Sequence, residues 1–160
     1  MAFNPQDKQI YGVTNYNSLV RIDKLTGEIT EIASIPDTVT LACDKDGIFY
    51  CNNYGTGIVF AFTLDDPEPV ALFDISELGI GVTNGAQGME IDPNTNNLCW
   101  TSFTTVKTPQ GNQNTAYYLE FAIDLDLANM TLDFDLVDAT FIGARLFGLV
   151  ITVSYTHLRA

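Results

Sequence analysis

Tyr11 and Tyr50 stand 39 positions apart, and the same step carries Val20 onto Val59, so the first third of the chain is repeated in register. Each tyrosine lies in a short run of strand formers, Ile10–Thr14 and Ile48–Cys51. From Ser18 to Asp23, Val20 and Ile22 alternate with Arg21 and Asp23, the period-2 pattern of a half-buried strand. Lys24-Leu25-Thr26-Gly27 supplies a turn that ends in glycine, and Glu28–Ala33 and Thr38–Cys43 read as two further strands around Pro36-Asp37. The unit therefore has four strands. Asp44-Lys45-Asp46-Gly47 is a hairpin turn that opens the next one. A third copy of the lead-in, Met89–Asn97, matches Phe3–Gln9 and runs into Leu98-Cys99-Trp100-Thr101.

A repeat of about 40 to 50 residues with four short strands is the signature of propeller blades, because one small sheet cannot bury both faces and must stack on neighbours. Helical solenoids share this period. They are disfavoured because no segment holds a 3.6-residue apolar rhythm, while Met130, Leu132, Phe134 and Leu136 alternate with Thr131, Asp133, Asp135 and Val137. The expected fold is all-β: a β-propeller fragment of about three four-stranded blades, near 10–43, 47–91 and 97–150, incomplete at both ends. A ring needs at least four blades, and an open stack exposes apolar faces. Residues 154–160 differ in composition, contain the only histidine, and resemble translated adaptor sequence. They are expected to be a non-native tail, which leaves 1–153 as the partial propeller.

The stretch from Ile10 to Gly27 resembles the YVTN-type propeller repeat, and Phe49–Gly55 is a looser copy. The resemblance implies a bacterial protein, secreted or carried on the cell surface, in which such blades stand beside adhesion modules. The missing blades of the same full-length protein would then be its first partners.

Charge narrows the other partners. Seven basic residues against 20 acidic ones give a net charge of −13, which repels phosphates and anionic headgroups, so neither nucleic acid nor a membrane surface is expected. The sequence has no run of 18 apolar residues for a membrane span and no leader-like apolar core after Met1. Cys43, Cys51 and Cys99 lie in apolar strands and read as buried free thiols; a bridge between Cys43 and Cys51 is the one pairing their neighbouring strands admit.

Without the tail there is no histidine, so histidine-based nucleophilic catalysis and histidine-ligated metals have no candidates in this stretch, and no catalytic residue is assigned. Asp124 with Asp126, and Asp133 with Asp135, share strand faces and could bind calcium, the one cofactor considered, or do acid–base work, but ordinary solvation of an exposed strand face is the stronger explanation. Asp44–Gly47 lacks the remainder of a calcium loop and reads as a turn. No glycine-rich phosphate loop is present. Asn15, Tyr16 and Asn17 follow the first strand of one unit and Asn52, Asn53 and Tyr54 that of the next, where amides and rings suit a glycan or a peptide. The competing explanation is that they simply build turns. Trp100 reads as core. The expected function is a non-catalytic binding or scaffold module, with a carboxylate-lined enzyme propeller of the lactonase, glycosidase or lyase kind as the alternative.

Overall fold

The structure, a computed structural model, describes residues 1–15, 17–35, 38–53, 56–78, 88–109 and 111–141, with backbone alone at 103–108 and 111–115. Among the described residues, twelve strands form three four-stranded antiparallel sheets, each a simple meander. The first sheet comprises β1 (Ala2–Asn4), β2 (Gln9–Val13), β3 (Ser18–Ile22) and β4 (Ile29–Ser34). The second has β5 (Thr38–Cys43), β6 (Phe49–Asn53), β7 (Ile58–Phe62) and β8 (Val70–Asp74). The third has β9 (Met89–Ile91), β10 (Leu98–Thr108), β11 (Gly111–Asp126) and β12 (Thr131–Phe141).

The blades are phased one strand earlier than the division at 10–43, 47–91 and 97–150. Thr38–Cys43 pairs with β6, Cys43 facing Phe49, and so opens the second blade instead of closing the first. The physical reason lies in its two ends. Asp44 Oδ1 accepts the amide hydrogens of Asp46 and Ile48, both at 2.9 Å, and Gly47 adopts φ +83°, so the chain reverses and lays β6 directly against β5. On its other side, the sequence sets Pro36, a residue with no amide hydrogen to donate, between this strand and β4. The same logic makes Ala2–Asn4 and Met89–Ile91 first strands. Residues 142–150 and the tail at 154–160 lie outside the described residues.

Successive blades stack face to face. Alternation puts Ala2, Tyr11 and Leu19 on one side of the first blade, where they pack with Leu41, Phe49, Cys51 and Phe62. Phe49 is the centre of this seam: its ring stands edge-on to Tyr11 at 5.1 Å and parallel to Phe62 at 5.3 Å. The opposite side of the second blade, with Ala42, Tyr50, Val59, Ala61 and Phe73, packs on Met89, Leu98, Trp100, Leu119 and Phe121 of the third. Phe73 bridges outward to Phe121 at 5.0 Å and Phe134 at 4.4 Å. Trp100 is buried here, as its place in the sequence suggests. β5 touches both β1 and β9, so the three first strands share the inner edge of the stack.

Gly57 fastens the turn after β6 to the exit from the blade. Its carbonyl accepts the Ile75 amide at 3.3 Å, its φ is +78°, and an added Cβ would lie 3.0 Å from Ile75 Cγ1. Phe49→Ala is expected to cost about 3–5 kcal/mol in chemical denaturation, because the two rings around it cannot both close the hole. A loss under about 1 kcal/mol would show that the seam is not a major source of stability.

Candidate functional site

The meander gives the stack two unlike ends. At one end lie the turns between first and second strands, Asn4–Lys8, Asp44–Ile48 and Asp92–Asn97; at the other lie the turns between second and third strands and the crossings to the next blade. The two ends are built by different chemistry.

The first-to-second turns are all nucleated by one side-chain device. Asn4 Oδ1 accepts the Gln6 amide at 2.9 Å, Asp44 Oδ1 that of Asp46 at 2.9 Å, and Asp92 Oδ1 that of Asn94 at 2.8 Å. Tyr11 then donates its hydroxyl to Asp7 Oδ2 at 2.5 Å, and Tyr50 donates to Asp44 Oδ2 at 3.2 Å. The repeat that marks the sequence is thus largely a turn-making repeat. Beside these turns, elements of all three blades enclose a cleft of about 340 Å³ that includes Phe3, Cys43, Asp44, Lys45, Glu90 and Ile91. Burial raises the carboxyl pKa of Asp44, overriding the hydrogen bonds from Ile48, Asp46 and Tyr50 that pull it down. Burial likewise raises Glu90 on the inner strand β9. The Cys43 thiol is pushed far up by burial and by Asp44, and Cys51 is pushed up to about 12 by burial, so neither is a thiolate nucleophile near neutral pH. Cys43, Cys51 and Cys99 are all free, and the register sets Cys43 opposite Phe49 and Cys51 opposite Leu41.

At the other end, the six residues expected to contact ligand separate. Asn15 is exposed in the turn after β2. Asn17 is exposed with φ 61°, and its carbonyl accepts the Ile35 amide at 2.7 Å. Asn53 is half-buried, and its Oδ1 accepts the Thr56 hydroxyl at 3.0 Å. Asn52 is fully buried inside β6, with its Oδ1 accepting the Thr40 hydroxyl at 2.5 Å, so it does not reach a surface ligand. Tyr16 and Tyr54 lie outside the described residues. The two triplets are also not equivalent. The 39-residue step carries Val13 onto Asn52 and Asn15 onto Tyr54, so one triplet begins inside the strand and the other after it.

The third blade adds an element the sequence reading missed. Among the described residues, β10 pairs with β9 over Leu98–Trp100 and β12 with β11 up to Tyr117, while β10 and β11 stay paired out to Thr108 and Gly111. A long two-stranded ribbon therefore stands where blades 1 and 2 have short turns. Pro109-Gln110-Gly111, a turn signal between Thr-rich and Asn/Gln-rich runs, was the cue.

The paired aspartates of the third blade lie in solvent. Asp124 faces Asp133 across β11 and β12, and both are exposed, as are Asp126 and Asp135. Among the described residues, no group of three or more His, Cys, Asp or Glu is arranged to hold a metal ion.

The raised Asp44 and Glu90 carboxyls carry a sign. Each binds its proton more tightly when folded, so each costs stability as pH rises from its ordinary value, 3.8 for Asp44 and 4.5 for Glu90, through its folded value. The Glu90→Gln protein is expected to lose less stability than the parent as the pH rises across that window. Denaturation midpoints between about pH 4 and 7 measure this, and parallel curves would refute the burial penalty.

No family model and no curated protein matches the chain. Among solved structures, the chain is similar to a chain of the crystal structure of a nidogen/laminin complex, with 18% identity, a TM-score of 0.55 and coverage of 92% of this chain. The match takes in 49% of that other chain, so this chain spans about half its length. With three stacked four-stranded meanders, this likeness shows the fold: the chain is all-β and forms three blades of a β-propeller.

Proposed function

We propose that the chain is a non-catalytic propeller module of a secreted or cell-surface bacterial protein, binding a protein or glycan at the end that carries the second-to-third turns. The observation that carries this reading is that Asn15, Asn17 and Asn53 lie at one end of the stack, the end at which the ribbon of the third blade also stands. Loops held by a packed scaffold are where binding groups gather, and exposed amides donate to and accept from sugar hydroxyls or peptide groups. The likeness of Ile10–Gly27 to the YVTN-type repeat is what favours a surface location. The solved structure that the chain is similar to belongs to a complex between two proteins, which agrees with a protein ligand.

An enzyme propeller is the second reading, and the cleft beside Asp44 and Glu90 is the observation that favours it. Desolvated carboxylates, one on the inner strand β9 and one in the turn after β5, suit acid–base work or calcium.

Screening against glycan and extracellular-protein arrays tests the first reading. A hit is expected to weaken about tenfold, about 1.4 kcal/mol, in the Asn17→Ala/Asn53→Ala double variant and to be unchanged in Glu90→Gln. Calorimetric calcium binding that vanishes in Glu90→Gln, with no array hit, would favour the enzyme instead.

A further inference from the structure

Among the described residues, three buried polar atoms have no hydrogen-bond partner in the chain: Asn52 Nδ2, Trp100 Nε1 and Ser102 Oγ. Their residues are 0%, 0% and 1% exposed. Buried polar groups are paired in about nine cases in ten, so three together call for a physical account.

All three face one seam. Tyr50 packs toward the third blade, and Asn52, two residues further along β6, points the same way. Leu98 and Trp100 pack toward the second blade, and Ser102 continues that face of β10. The walls are joined at this level. Thr40, the register partner of Asn52, sets its hydroxyl 3.7 Å from Sδ of Met89, and Met89 is the register partner of Trp100.

The donors define what fits. Trp100 Nε1 is a donor only, and so is Asn52 Nδ2, whose companion Oδ1 already accepts the Thr40 hydroxyl. The Ser102 hydroxyl bonds either way. Two N–H groups cannot satisfy each other, and none of the three groups carries a positive charge that would select an anion. We infer that the seam between the second and third blades is a binding site for one small oxygen acceptor, held by Asn52 Nδ2, Trp100 Nε1 and Ser102 Oγ. Water has the matching valence: it accepts from both N–H groups and donates to the serine, the roughly three bonds that an enclosed water makes. The oxygen of a carboxylate or amide ligand would instead accept from all three.

Trp100 is the only tryptophan, so its indole N–H proton is a single, assignable NMR signal. In ligand-free protein, transfer from the water line to that proton, with the sign of a long-lived contact and not of exchange, identifies the oxygen as water. Where such transfer is missing, a saturable shift of the indole signal on adding acetate or N-methylacetamide identifies a carboxylate or amide oxygen. Neither response in folded protein overturns the site. In Ser102→Ala, with the fold checked by circular dichroism, the response seen in the parent is expected to be lost, and its full retention also overturns the assignment.

Discussion

Everything in this molecule depends on one interaction, the burial of one blade's apolar face under the next. A four-stranded meander of about 35 residues cannot enclose a core, because both of its faces meet solvent. The Tyr11–Phe49–Phe62 cluster on one side of the second blade, and the Phe73–Phe121–Phe134 cluster on the other, convert three such sheets into one body. The turns, the ribbon and the buried polar seam hold their places because the sheets beneath them cannot move independently.

Cross-strand rows show how each face is specified. Cys43, Phe49 and Phe62 form one row, Ile91, Leu98 and Phe121 its counterpart in the third blade, and all six side chains are buried under the preceding blade. In the first blade the matching row is Phe3, Ile10, Ile22 and Ile29; Phe3 is 53% and Ile29 62% exposed. On the reverse faces, Ala42, Tyr50, Ala61 and Val70 of the second blade correspond to Glu90, Cys99, Glu120 and Asp138 of the third. Equivalent positions in one architecture thus carry apolar or acidic side chains, and chemistry at the seams is free to vary while the backbone repeats.

Polar groups divide along the same lines. Asn4, Asp44 and Asp92 recur because an oxygen two residues ahead of an amide closes a tight turn, a local bond that needs no other blade. Asn52 and Trp100 have no such local explanation. Both lie against the seam between the second and third blades, where desolvation makes an unpaired donor costly and a paired one specific.

The strands, their meander and their repetition were legible in the sequence, since alternation, β-branched and aromatic runs and turn residues act over neighbouring positions. Tyr11 to Tyr50 and the recurrent Asx turns carry that information directly. The phase of the blades was not legible: whether Thr38–Cys43 joins β4 or β6 is a contest between two pairings that only the closed hairpin resolves. Nor was the fate of the asparagines. Asn15 and Asn52 look alike in a sequence, yet one sits in a turn and the other under a neighbouring sheet, because burial is a property of how blades stack and not of the residue that is buried.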